Sequence, residues 1–307
     1  MPTPGVNLNR FDLTSLRLFV ATVEAGSLTA GAERFGISLA AASKRIAELE
    51  AHVGTALLSR SKRGAAPTAA GQTLHGHAIE VVARLEQLAV AMDDFRRGTR
   101  GHLRLWANPS AFGGFLPRVL AAYAAEHPDV KIDLEEALSE EAVRGVATGV
   151  AELAIIGDNT PAEGLQSIVC DVDELVLIVP AHHALAKGKS VSFAQVLDHD
   201  FVMLGRSTSL TRHVSAAAEA IGRTLRVRVQ ARTFEAVCRI VAAGLGLGIL
   251  PRASAAPQAA ALGLELVRLD GMRIERRLLL VMRDRESLSK SARAFVELVE
   301  QRRSIVI

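Results

Sequence analysis

The sequence predicts an α/β protein: an all-α winged helix-turn-helix at the N-terminus, a long linker helix, and a two-lobed α/β domain behind it. Three observations carry this. Capped, Gly-punctuated helical segments follow one another closely through residue 70. A run of apolar residues spaced alternately by four and three occupies residues 74–95. From residue 102 onward, short strand-like runs alternate with amphipathic stretches.

In the first part, Thr14 fits an N-cap, and Leu16, Phe19, Val20 and Val23 recur at the spacing of one buried helix face. Gly26 ends that helix, because glycine adopts the left-handed C′ conformation without a Cβ clash. Ser27 caps a short second helix through Phe35, Gly36 makes the turn, and Ser38 caps a third helix running to about His52. A helix, a Gly-containing turn and a capped second helix form the helix-turn-helix pattern. Gly31 and Ala32 supply the small residues needed where helices cross closely. Leu57 and Leu58 enter a short strand, Ser61 to Gly64 turn, and Ala65 to Pro67 return, which makes a basic-tipped wing. Thr68 caps the next helix.

That helix carries Leu74, Ala78, Val81, Leu85, Leu88, Met92 and Phe95, an a/d seam over three heptads. A helix packed on a globular core usually shows a broader apolar stripe, so the seam reads as a dimerisation surface. RRGTRG at 96–101 breaks the helix. HLRLWA, VKIDLE, ELAIIG, LVLIVP, FVMLG, GLGILP and LLLVM then read as strands. Helices are expected at about 115–126, 140–149, 209–221, 234–243 and 288–302. This alternation implies mostly parallel sheets. The boundaries expected are 1–70 for the winged helix-turn-helix, 71–100 for the dimerising helix and hinge, and 101–307 for the α/β domain.

Composition narrows the class. With 307 residues the chain has room for about two domains. Its net charge of +3 comes wholly from residues 1–100, which hold 12 Lys/Arg against 9 Asp/Glu, while residues 101–307 hold 24 of each. A basic excess confined to one end fits a nucleic-acid-facing module. No apolar run is long enough to span a membrane, MPTPGVNLNRFD has no signal-peptide core, and Cys170 and Cys238 give neither a disulfide framework nor metal spacing. A cytoplasmic protein with no membrane partner is expected.

The stretch LTSLRLFVATVEAGSLTAGAERFGISLAAASKRIAELEAHVGTALLSRSKRGAAPTAAG resembles the N-terminal domain of LysR-type transcriptional regulators. The likeness continues through LPRVLAAYAAEHPDVKIDL, VATGVAELAIIG, ELVLIVPAHHALA, IVAAGLGLGILP and SARAFVELV, so it covers nearly the whole chain in the family's order. It implies a winged helix-turn-helix, a dimerising linker helix, and an effector domain like a type 2 periplasmic binding protein. Two crossover strands would join its lobes, lobe I at about 101–170 and 270–307 and lobe II at about 171–269. The inducer would lie in the cleft between them. Family members are usually tetramers on bent DNA, so double-stranded DNA at an inverted-repeat promoter site, further copies of the chain, a small effector and RNA polymerase are the implied partners. Leu39-Ala40 stands where the family often has Gln followed by Pro or Ser, which removes a frequent adenine reader and leaves the base code open.

Residues at the start of a recognition helix reach base edges. Ser38, Leu39, Ala40, Ser43 and Lys44 lie there if Ile46 and Leu49 face the core. Leu39 either meets a thymine methyl or packs under the wing, and Arg45 points to phosphate or to solvent. Arg60, Lys62 and Arg63 at the wing suit phosphate or minor-groove contacts, with a structural role open for Arg60. In the second domain Ser110 and the run Ser207, Thr208, Ser209 each stand between a strand and a helix, and Thr233 stands before another helix. Exposed amides with a hydroxyl alongside favour anions, although the same placement serves ordinary capping and the cleft could take an apolar compound.

Enzyme-like signals do not hold together. GLGLG at 244–248 follows a helix and precedes a strand, the reverse of a dinucleotide loop. His182-His183 and His75 with His77 lack a third ligand or a shared face, and no nucleophile, base and orienter assemble. The reading is a regulator without catalytic residues, metal or cofactor. The alternatives are a solute-binding protein, which would need export, and an enzyme on the same two-lobed scaffold.

Overall fold

The computed structural model describes residues 10–61, 64–97, 101–271 and 275–304. The chain divides into two compact units, Met1–Asp93 with Thr148–Val150 and Asp94–Ala147 with Ala151–Ile307.

The first unit contains α1 (Leu13–Ala25), α2 (Leu28–Phe35), α3 (Leu39–Val53), the antiparallel hairpin β1 (Leu58–Ser61) and β2 (Gly64–Pro67), and α4 (Ala69–Arg97). Its start corrects the expected cap. Asp12, not Thr14, precedes α1, and its carboxylate accepts the Ser15 amide at 2.9 Å. Ser27 and Ser38 cap α2 and α3 as expected, and Gly26, Gly36 and Gly54 close the three helices in the left-handed conformation. Leu18, Phe19, Ala42, Ile46, Leu49 and Leu57 form the core. The wing is tied to it from both sides. Glu50 Oε1 of α3 accepts the amides of Leu57 and Leu58 at 2.8 and 3.0 Å, and the Ala65 amide donates to the Gly26 carbonyl at 2.9 Å. Thr68 caps α4 by accepting the Gly71 amide at 3.0 Å. The β1–β2 hairpin is the wing, and the rest of this unit is helical.

The second unit is a mixed α/β structure. Its first core is built from β3 (Gly101–Ala107), α5 (Pro109–Gly113), α6 (Leu116–Glu126), β4 (Val130–Glu136), α7 (Ser139–Thr148) and β5 (Leu153–Gly157). A 15-residue strand, β6 (Gln166–Pro180), carries the chain into the second core. There follow β7 (Ser190–Ser192), α8 (Phe193–Val196), β8 (Phe201–Leu204), α9 (Ser209–Glu219), β9 (Val227–Ala231), α10 (Phe234–Ala242), β10 (Gly248–Pro251), α11 (Arg252–Leu262) and β11 (Leu264–Asp270). The chain returns through β12 (Glu275–Met282) and ends in α12 (Lys290–Ser304), whose Ala292, Phe295, Val296 and Val299 pack on the first core.

Residues 166–174 of β6 pair with β12, and residues 175–180 pair with β10 and β11, so one strand belongs to both lobes. The expectation of mostly parallel sheets is corrected here. β3–β4, β3–β5, β7–β11 and β8–β9 are parallel, but β5–β12, β6–β12, β6–β10 and β6–β11 are antiparallel. For β6–β12 the reason is topological: the outgoing and returning crossovers run in opposite directions and lie side by side. Among the described residues no helix is long and apolar enough to cross a membrane.

The crossing of α1 and α2 depends on Gly31. A Cβ placed there would lie 2.8 Å from the Cα of Thr22 and 2.6 Å from its Oγ1. Thr22 cannot yield, since it is fully buried and its hydroxyl bonds the Leu18 carbonyl. Gly31→Val should therefore destabilise this unit by about 1–3 kcal/mol through overpacking. Urea unfolding should show its transition moved to lower denaturant while that of the second unit stays; an unmoved transition would mean that α1 and α2 lie further apart than described.

Candidate functional site

Two sets of side chains stand out, one in each unit. In the first unit Ala42, Ile46 and Leu49 turn α3 inward. Leu39, Ala40 and Lys44 are left exposed and Ser43 half-buried on the opposite side of the helix start. Leu39 is 49% exposed, which removes the reading that it packs under the wing. Ser38 spends its hydroxyl on the Ala41 amide at 3.2 Å. Lys44 faces Glu48 at 3.9 Å, an exposed i,i+4 pair of small energetic weight. Arg45 is drawn back to α1, with Nη1 3.4 Å from Asp12 Oδ1 and 3.5 Å from Ser15 Oγ. Burial pushes the Asp12 carboxyl up, but the Ser15 hydrogen bonds, Arg45 and the Thr14 amide together outweigh it and hold the group below its ordinary value. Arg45 thus braces α1 against α3. Arg60 lies in β1 opposite Ala65, and its side chain, like all of Lys62 and Arg63, lies outside the described residues.

Along α4 the expected seam divides. Leu74 packs on the core of its own unit and Ala78 is buried within the single chain. Val81, Leu85, Leu88 and Met92 are 40–54% exposed, an apolar stripe at heptad spacing. The side chain of Phe95 lies outside the described residues.

In the second unit a small cavity of about 10 Å³, room for roughly one water, is lined by Asn108, Pro109, Ser110, Leu138, Ser139, Leu204, Thr208, Ser209, Leu210 and Phe234. These residues come from the C-terminal ends of β3 and β8 and the starts of α5, α7, α9 and α10, and so from both lobes. Ser110, Thr208 and Ser209 all line the cavity. Ser207 and Thr233 are exposed and do not line the cavity; Thr233 caps α10 through the Ala236 amide at 3.1 Å. Thr208 is also a cap, accepting the Thr211 amide at 3.3 Å and donating to the Gly205 carbonyl at 2.9 Å. Ser110 lies inside α5 rather than before it; that helix has only five residues and is capped by Asn108, whose Oδ1 takes the Ala111 amide at 3.2 Å, so little helix dipole is offered there.

The charge at this site was not read from the sequence. Arg276, at the start of β12, is fully buried. Its Nη2 donates to Ser110 Oγ and to Asp173 Oδ2, the latter at 2.6 Å, and its Nη1 reaches Ser209 Oγ at 3.4 Å. Asp173, on β6 at the crossover, is 4% exposed. Burial pushes its carboxyl above the usual carboxylate range, more than the charge and hydrogen bond of Arg276 pull it down, and nearby Asp171 adds to the rise. Asn108 Nδ2 and the Gly157 amide both donate to Ser139 Oγ at 3.3 Å, and Asn159 Nδ2 donates to the Ser209 carbonyl at 2.9 Å. A signal for Arg276 did exist. In ERRLLLVM it shares the inward face with Leu278, Leu280 and Met282, a charge in a core position. Asn108 before Pro109 was likewise a legible cap. Among the described residues no group of three or more His, Cys, Asp or Glu stands where it could hold a metal.

Comparison with known proteins places both units. Residues 13–72 match the model of the bacterial regulatory helix-turn-helix proteins of the lysR family, and residues 96–304 match that of the LysR substrate binding domain. A probable RuBisCO transcriptional regulator of Trichormus variabilis is 26% identical, covering 93% of this chain and 86% of its own. Full-length CbnR, solved in complex with its target DNA, superposes with a TM-score of 0.69 at 22% identity, over 95% of this chain and 99% of CbnR. The regulatory domain of CcmR from Synechocystis, solved in complex with 2-PG, gives a TM-score of 0.60 at 22% identity, over 66% of this chain and 97% of that domain. The two family models together match most of the chain, and the chain belongs to the LysR family of DNA-binding transcription regulators, which are not enzymes.

Proposed function

We propose that the protein acts in the cytoplasm as a dimer, paired further into a tetramer, on inverted-repeat promoter DNA, and that a small effector in the inter-lobe cleft changes its hold on that DNA. The observation that carries this is the convergence of polar element ends from both lobes, Ser110 and Ser139 from one and Thr208 and Ser209 from the other, on a single cavity. A ligand gripping both lobes has different affinities for their open and closed arrangements, which is what a shift in equilibrium requires. The complex of CcmR with 2-PG supports a small-molecule occupant for a domain of this fold.

On the DNA side, Leu39, Ala40, Ser43 and Lys44 at the start of α3 would face the major groove, with Ser38 at its cap. Arg60, Lys62 and Arg63 at the wing would supply phosphate or minor-groove contacts. Arg45 would serve chiefly to set the angle of α3, given its bond to Asp12. The dimer seam is narrowed to Val81, Leu85, Leu88 and Met92, continuing toward Phe95, because Leu74 and Ala78 are occupied within the chain. An activator would add RNA polymerase as a partner.

Two measurements test this reading. Leu88→Asp sets a carboxylate in an apolar seam, where an unpaired charge is costly to bury. Light scattering should show smaller particles than for the unaltered chain, and anisotropy on the DNA upstream of the gene should show affinity lower by about 100-fold or more, since the linked second half-site contact is lost. A folded dimer of normal affinity would remove α4 from the dimer interface. For a metabolite that raises the melting temperature, Ser110→Ala and Thr208→Val should each move the half-response concentration about fivefold, the worth of roughly 1 kcal/mol per hydrogen bond, with DNA affinity kept. A full response in the double variant would place the effector elsewhere.

A further inference from the structure

Arg276 has more donors than its surroundings accept. A guanidinium carries five N–H groups and cannot give up its charge inside a protein. Here Nη2 serves Ser110 and Asp173, Nη1 makes one long bond to Ser209, and Nε is buried with no partner among the described residues. Its counter-ion is a reluctant one. Asp173 is buried among apolar strands, lies near Asp171, and is pushed toward its neutral form.

The second observation is where the guanidinium sits. Both hydroxyls that hold it, Ser110 of α5 and Ser209 of α9, line the inter-lobe cavity, and they belong to different lobes. At about 10 Å³ that cavity admits no ligand of several heavy atoms while the lobes stay as they are. Parting them pulls at least one of the two serines away from Arg276. A charge already short of acceptors then loses another, at the moment when space opens beside it.

We propose that Arg276 is the charge-recognition residue of the effector site, and that its ligand is a small oxyanion, a carboxylate or phosphate, which takes the guanidinium over from Ser110 and Asp173 as it enters. This rests on the cleft reading above and gives it a chemistry. Two oxygens of one group match the planar fork of an arginine, and a site shut off from water makes such bonds short and strong. The donors at Nε and Nη1, unsatisfied or poorly satisfied in the closed form, gain acceptors. Asp173 gives way because burial already disfavours its charge. The protein therefore carries its own stand-in ligand, and the effector competes with a carboxylate of the chain.

The test uses the full chain and two probes, inorganic phosphate and malonate, each against chloride at equal ionic strength, by calorimetry and thermal melting. Asp173→Asn removes the competing charge and keeps the shape, so at least one probe should bind about tenfold or more tighter than to the unaltered chain. Asp173→Asn with Arg276→Gln leaves a neutral pair and should abolish that binding; the probe bound more tightly tells phosphate from carboxylate. If Asp173→Asn does not fold, the double variant against the unaltered chain decides: loss of probe binding supports the assignment and retention overturns it. Equal binding by all three proteins overturns it, as does no binding by any of them. Leu138→Trp, which fills the cavity, separates the two layers. Binding that survives the double variant but is lost in Leu138→Trp overturns the arginine assignment and leaves the cleft reading standing, whereas binding that survives both overturns the two together.

Discussion

An arginine shut away from water must be met by opposite charge and by hydrogen-bond acceptors, or the fold that buries it is not formed. Asp173 and Arg276 meet that demand at the point where the two crossover strands lie side by side. Asp173 lies on β6 and faces Arg276 on β12 in the strand register itself. The bond fixes the outgoing crossover against the return, and the same guanidinium holds the beginnings of α5 and α9 through Ser110 and Ser209. Four elements from two lobes are thus referred to one side chain. A buried ion pair is not a strong source of stability, since the desolvation it costs offsets most of the attraction, but removing one partner costs about 3–5 kcal/mol. Such a pair selects one arrangement of its surroundings over others, and a rival for either partner shifts that choice.

A second constraint acts in the DNA-binding unit. Gly31 lets α2 approach α1 to a separation at which any side chain would meet backbone. Arg45 then ties α3 to α1 through Asp12, the residue that also caps α1. The exposed face of Leu39, Ala40 and Lys44 is therefore oriented by this close crossing, to which the exposed Arg45–Asp12 pair adds a small contribution. Glu50 does the same for the wing by accepting two successive amides at its entry. Specific readout needs such a fixed angle between helix and groove, because base contacts discriminate only at correct geometry.

Much of this was legible in the sequence. Helices capped by Ser27 and Ser38 and closed by glycine are local features, settled within a few residues, and they appear where they were expected. Thr14 was mistaken for a cap because Asp12 lies before a Leu that looks like the end of a loop; the carboxylate is the stronger acceptor for the free amides. The strand directions misled because alternation of strand and helix speaks for parallel pairing, while β6 and β12 pair as crossovers, a relation between segments about a hundred residues apart. The helix α11 was not among those expected: Pro257 stands inside it and breaks the helical pattern of an Ala-rich run. Ser207 and Thr233 carried the same hydroxyl-before-helix signal as Ser209, but only the fold decides which helix starts converge. Arg276 and Asp173 escaped because each looks like an ordinary surface charge until the inward register of its strand is known.

An effector recognised by Arg276 must make that side chain change partners, and a crystal structure of the full chain grown in malonate measures this directly. The expected result is a malonate carboxylate within hydrogen-bond distance of Arg276 between Ser110 and Ser209, with the Asp173 carboxylate displaced from its present 2.6 Å contact. A malonate seated in the cleft with the Asp173–Arg276 pair intact, or no malonate there at a concentration that saturates other sites, would contradict it.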